Sequence, residues 1–193
     1  MEKVDTMARH DQLLQRIRQN HALEHATLHV LGQEAGRHHL MGRADWNGFT
    51  VYGTVDTRRL IDAAVEGLRR LQNDESWLAI HPRCGTNLAT GVLAATVLGQ
   101  VAVSGLRSRF LRTVGAGLAL AAGLFLAQPL GHAVQEHVTT SPDLADAVIT
   151  AVQREVRGGM VRHRVIVHDG NAEQAQISER YHDFAFPPAV TVE

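Results

Sequence analysis

Apolar side chains recur along this chain in three rhythms. From Asp11 to about Glu34 the positions Leu13, Leu14, Ile17, Leu28 and Leu31 follow helical spacing, with Gly36 as a C-terminal cap after a frayed stretch of residues 1–9. Between His38 and Val55, Gly42, Asn47-Gly48 and the alternating run Phe49-Thr50-Val51-Tyr52 predict a β-hairpin. Asp56 or Thr57 can cap a helix running to about Gln72, with Leu60, Ala64, Leu68 and Leu71 on one face. Trp77 to Ile80 then reads as a short strand ending at His81-Pro82. Near the far end, Ser141-Pro142-Asp143 opens a helix expected from Leu144 to about Val156, because serine caps and proline fits a first turn. Gly158-Gly159 stops it, and Val161 to Val167 reads as a strand. LIDAAVEGL (from Leu60) and LADAVITAV (from Leu144) align, so each half would carry a helix, a strand and then a histidine, His81 or His168.

The third rhythm has no polar face. Leu88 to Leu106 and Thr113 to Gly131 contain no ionisable side chain, and six residues join them. Each approaches the ~20 residues that a helix needs to cross a bilayer core of about 30 Å. Both are rich in Gly and Ala, which lets two helices approach closely in lipid. A soluble chain of 193 residues has little other apolar mass to cover such a pair. The expected fold is therefore α+β: a small mixed helix and strand layer joined to a two-helix transmembrane hairpin. Its parts would be an N-terminal α+β segment, 1–87; the hairpin, 88–131; and a C-terminal helix-strand unit, 132–193, packing back on the first segment and ending in a tail.

Composition narrows the function classes. Lys+Arg 19 against Asp+Glu 20 gives a net charge of -1, without the basic excess of a nucleic-acid binder. One cysteine, Cys84, excludes an internal disulfide framework. The polar start, MEKVDTMARHDQLLQRIRQN, reads as no signal peptide. Arg107, Arg109 and Arg112 would favour a cytoplasmic hairpin loop by the positive-inside rule. The missing leader and the unpaired thiol point instead to cytoplasmic polar segments, and that is the expectation taken. The implied partners are the lipid bilayer and an unidentified substrate or protein.

Twelve histidines are the unusual figure. His21-Ala22-Leu23-Glu24-His25 places two imidazoles one helical turn apart on the same face, where both can reach one metal ion. Glu24 lies about 60° around the helix from His21, in reach of a water at such an ion. This H-x-x-E-H order is the inverted zincin pattern, with paired histidine ligands and a glutamate base. His21, His25 and Leu28 continue the stripe of Leu14 and Ile17, so both histidines should point inward and need partners. His81-Pro82-Arg83-Cys84-Gly85-Thr86-Asn87 offers a second imidazole and thiolate pair. It is also simply a turn in which Pro82 breaks a strand and Thr86 or Asn87 caps a helix. His38-His39 read as solvated, and His29 as a surface position. His132, Gln135, Glu136 and His137, beyond Gln128-Pro129, read as interfacial polar residues rather than an outer hydrogen-bonding layer.

HALEHATLHVL followed by HPRCGTN, the latter abutting hydrophobic runs, resembles a bacterial family of membrane proteins of unknown function with H-x-L-E-H-A-T and H-P-x-C-G-T-N blocks. More distantly it is similar to the YqhQ-like membrane proteins, described as predicted metal-dependent enzymes, with H-G-A-E-H and H-P-R-C-G-T blocks. Ala22-Leu23 replace their Gly-Ala, and Asn87 their Ser. The resemblance implies a metal-dependent enzyme and picks out His21, Glu24, His25, His81, Cys84, Gly85 and Thr86. Together these readings predict a membrane-anchored metal-binding protein. Zinc is the expected ion, His21, His25, His81 and Cys84 are its candidate ligands, and Glu24 is the base of a peptidase-type hydrolase. The competing expectation is a non-enzymatic scaffold or partner-binding protein, with a structural metal or a metal-free His/Glu/Cys cluster.

Overall fold

In a computed structural model of the chain, residues 2–34 and 40–170 are described. Helix α1 spans Glu2–Glu34, and strands β1 (Met41–Asp45) and β2 (Gly48–Tyr52) form the expected hairpin. Helix α2 (Thr57–Gln72) is capped by Asp56, whose side chain accepts from the Arg59 N–H, and its predicted face is buried. A 3-10 turn, Ser76–Ala79, leads to α3 (Gly85–Val103) and α4 (Arg109–Val134). A π-turn, Gln135–Thr139, ends α4, and β3 (Ala147–Arg157) and β4 (Met160–Asp169) close the described chain.

The fold is mixed α+β, with four α-helices and one four-stranded antiparallel sheet among the described residues. The strand order is β1-β2-β4-β3, so β4 pairs with β2 across the helical hairpin, Val51 facing His163 and Phe49 facing Val165. Helices α1 and α2 pack on one sheet face around Leu23, Leu31, Phe49, Leu60, Leu78 and Val165. That core explains α1: Ala22, Leu23, Ala26, Val30 and Leu31 are buried, whereas Leu13 and Leu14 are exposed.

Four local expectations change. Helix α1 begins at Glu2 rather than near Asp11. Trp77 to Ile80 is not a strand, because Ser76 to Ala79 turn as a 3-10 segment with Leu78 and Ala79 buried. The helix expected over residues 144–156 is instead strand β3, so the repeated helix-strand unit does not exist. Its sequence, AVITAVQREVR, is rich in β-branched residues that suit a pleated surface. Pairing shifts between Ile149 and Ala151, leaving Thr150 as an extra residue. The inward positions therefore run Ala147, Ile149, Val152, which breaks strict alternation and imitates helical spacing. The C-terminal unit is a hairpin turning at Gly158-Gly159. Finally, Cys84, not Thr86 or Asn87, is the N-cap of α3. Gly36, His38-His39 and the tail after Gly170 lie outside the described residues.

Helices α3 and α4 are long and apolar enough to cross a membrane, by length and composition. They lie against each other at Gly91 and Gly123, where added methyl groups would fall 2.6 Å from Ala127 Cβ and 2.4 Å from Ala95 Cβ. Their outward faces, including Leu93, Val101, Leu118 and Phe125, are bare.

Candidate metal centre

Five elements bring the candidate side chains together. Helix α1 supplies His21, Glu24 and His25, and Cys84 arrives on the turn that enters α3. Strand β1, the 3-10 turn and the π-turn hold the remaining contacts. His21 Nδ1 donates to the Thr139 carbonyl at 2.9 Å, and His25 Nδ1 donates to the Ala79 carbonyl at 2.6 Å. Those bonds fix one tautomer and leave both Nε2 atoms as acceptors, the arrangement that orients a metal-binding imidazole. His25 is buried, and its Nε2 has no hydrogen-bond partner.

The Nε2 of His21 lies 3.5 Å from Cys84 Sγ. Donor atoms of His21, His25 and Cys84 all fall within 4.8 Å of one another. Around a tetrahedral zinc with bonds of about 2.0–2.3 Å, ligand atoms stand about 3.3–3.8 Å apart, so the three need only small adjustments. Burial, reinforced by the charges of His21, His81 and His29, holds the His25 pKa well below the usual histidine range. His25 is thus the neutral imidazole that a metal requires. Cys84 Sγ accepts the Thr86 N–H at 3.4 Å, which holds the side chain at the start of α3.

Glu24 is buried beside this group, and burial pushes its pKa to about 7, with the charge of Cys84 adding to the rise. His21 and the Ala44 N–H act in the opposite direction. A carboxyl poised near neutrality can exchange a proton at working pH.

His81 stands apart from the three converging donors. Its ring centroid is 5.6 Å from His25 and 4.8 Å from His29. Burial, then the charges of His29 and Arg83, lowers its pKa to about 4. His29 is not a surface residue: it is half-buried, its Nε2 donating to the Ile80 carbonyl at 2.8 Å.

Two further side chains hold the turn. Gln135 is fully buried, not interfacial; its Oε1 accepts the His81 N–H at 2.8 Å and its Nε2 donates to Asn87 Oδ1 at 2.6 Å. Asn87 donates onward to the Pro82 carbonyl at 2.9 Å. Gln135 therefore belongs to an outer hydrogen-bonding layer, where the sequence reading placed it at a lipid interface instead. Its position on a π-turn, a geometry common at functional sites, has no signature in composition. The whole arrangement opens into a cleft of about 850 Å³, lined by His21, Glu24, His25, His81, Cys84 and β1 residues among others.

These features define a class: an α+β domain with a partly buried His/Glu/Cys cluster at the base of an apolar helical hairpin. Residues 16–152 match DUF6391, a domain of unknown function, and the chain belongs to that family. It is 39% identical over 135 residues to an uncharacterized protein of Picosynechococcus sp. (strain ATCC 27264 / PCC 7002 / PR-6), a match covering 65% of this chain and 66% of that protein. The chain thus spans just under two thirds of the length of this curated relative. No solved structure matches the chain.

Proposed function

We propose that this protein is a membrane-anchored zinc-binding protein and a metal-dependent hydrolase of the peptidase type. The observation that carries this reading is the convergence of one donor atom each from His21, His25 and Cys84 within 4.8 Å, with both Nδ1 atoms anchored on backbone carbonyls. A mixed imidazole and thiolate set suits zinc, and three protein donors leave a tetrahedral ion one open position. The resemblance of HALEH and HPRCGT to blocks of the YqhQ-like proteins supports the same reading.

An ion held there would polarise a substrate carbonyl and ease ionisation of water. Glu24 accepts the proton from the attacking water and returns it to the departing amine, so an amide becomes a carboxylic acid and an amine. His21 and His25 keep their orientation through Thr139 and Ala79, and the Asn87–Gln135 bonds keep Cys84 in reach. Membrane anchoring is supported by the bareness of the apolar helices. Only 11% of the α3 window and 17% of the α4 window are buried, where a soluble core helix would be mostly covered. Cys84 caps α3, so the site would sit where the first span emerges.

The 3.5 Å contact between His21 and Cys84 favours a second reading, a metal-free polar cluster in a non-enzymatic scaffold. Metal analysis of detergent-purified protein separates the two. The hydrolase reading expects about one zinc per chain in wild type, loss in His25→Ala, and retention in Glu24→Gln with turnover abolished. Wild-type protein without stoichiometric metal would overturn it.

A further inference from the structure

The cleft above Glu24 has two unlike walls. One is the His81 to Thr86 turn, and the other is β1, an edge strand of the sheet. β1 pairs with β2 on one side only, and Gly42 and Ala44 line the cleft together with Glu24. The backbone N–H and C=O groups that β1 does not give to β2 point to its other side. Among the described residues no strand pairs with that side of β1. An edge of this kind is a template for another extended chain.

The side chains around the cleft state what that chain carries. Among the described residues that line the cleft Glu24 is the only acid, whereas Arg43 and Arg83 stand on opposite walls and both are exposed. Ile17, Leu28 and Leu40 give the cleft apolar surface between those charges. A strand presents its side chains to alternate faces, so one peptide can offer apolar groups inward and acidic groups to the arginines. The cleft, about 850 Å³, has the size of a pocket that takes a short peptide segment.

We infer that an extended peptide with alternating apolar and acidic side chains docks here as an added strand along β1. The inference rests on the hydrolase reading and names its substrate class. Strand pairing would carry a backbone amide of the peptide across the open side of the His21, His25 and Cys84 cluster, next to Glu24.

The test uses the full chain in detergent, as zinc-loaded Glu24→Gln and as wild type in chelator. The probe is a short fluorescein-labelled peptide of alternating valine and glutamate, read by anisotropy. Methylating every second peptide amide should weaken binding about tenfold or more, while methylating the intervening amides leaves it unchanged. Replacing glutamate by lysine in the probe should weaken binding, and Arg43→Glu should reverse that preference. Stoichiometric zinc with no peptide binding, or with binding indifferent to which amide is methylated, overturns the docking and leaves the hydrolase reading standing. The alternating pattern in protein that never holds zinc sustains the docking and overturns the hydrolase reading.

Discussion

A methyl group on Gly42 would stand 2.0 Å from Oε1 of Glu24. The bare backbone of β1 is therefore the surface against which the Glu24 carboxyl is seated, with the Ala44 N–H two residues along donating to it. A helix and an edge strand jointly place one acidic group at the mouth of a histidine cluster.

Gly42→Ala tests that seating without touching any candidate ligand. The nearest atoms to the new methyl all belong to the Glu24 side chain, which must swing away. Overpacking of this kind costs about 1–3 kcal/mol. We expect zinc content equal to wild type and peptide hydrolysis reduced at least about tenfold, as for a misplaced base. Unchanged turnover in a protein whose crystal structure shows the carboxyl displaced would mean that Glu24 has no part in the chemistry.

Gln135→Leu removes a side chain that touches none of the three converging donors, His21, His25 and Cys84. The substitution leaves the His81 N–H and Asn87 Oδ1 without the partners they now hold at 2.8 and 2.6 Å. Thermal unfolding should register a loss of about 1–3 kcal/mol. Competition with a chromogenic chelator should show zinc affinity about tenfold weaker or more, because the turn that positions Cys84 loosens. Gln128→Leu is the comparison: Gln128 is exposed, and its 3.2 Å contact with the Pro82 carbonyl duplicates one made by Asn87. It should move both readouts much less.

Legibility in the sequence followed the range of the physics involved. The i, i+4 spacing of His21 and His25, the Asp56 cap and the alternation of Phe49 to Tyr52 are short-range signals, and each marks an element or a pair seen in the fold. Strand β3 was hidden because Thr150 breaks its alternation and because its reason to be a strand is β4, across a Gly158-Gly159 turn that reads equally as a helix stop. Gln135 was hidden for a related cause. A glutamine past an apolar helix suits lipid headgroups, and only the return of the chain beside α1 buries it against Asn87. Gly42 carried no signal, since a glycine near a turn is ordinary until Glu24 is known to lie over it.

Contact between α3 and α4 depends on the absence of a side chain at Gly123. A Cβ there would lie 2.4 Å from Ala95 Cβ and 2.7 Å from the Ala95 nitrogen and Cα, which are backbone atoms that cannot turn aside. Gly123→Leu should splay the hairpin, lowering the unfolding temperature in detergent. Gly117→Leu supplies the control, because nothing lies within 4 Å of a Cβ at Gly117. Relief of the helix-interior glycine penalty, about 0.5–1 kcal/mol, should leave that variant as stable as wild type or more so. Equal melting of the two variants would show that the helices do not depend on this approach.

His163 gives a pH dependence outside the candidate site. It is fully buried on β4, its Nε2 shares a hydrogen bond of 3.1 Å with Thr57 Oγ1, and its Nδ1 has no partner. Burial, followed by the positive charge of Arg154, lowers its pKa from 6.5, against a weaker opposing pull from Asp56. The folded state therefore favours the neutral ring, and below pH 6.5 the unfolded chain binds a proton that the folded chain does not. Stability contributed by neutral His163 is complete above that pH and declines as pH falls toward its folded value. His25 and His81 act with the same sign, so the decisive quantity is the difference between wild type and His163→Gln. In urea titrations on zinc-free protein, the wild-type advantage over this variant should shrink steadily as pH is lowered from about 7.5 to about 5. A constant difference across that range would show that His163 takes up its proton in the folded protein as readily as in the unfolded chain.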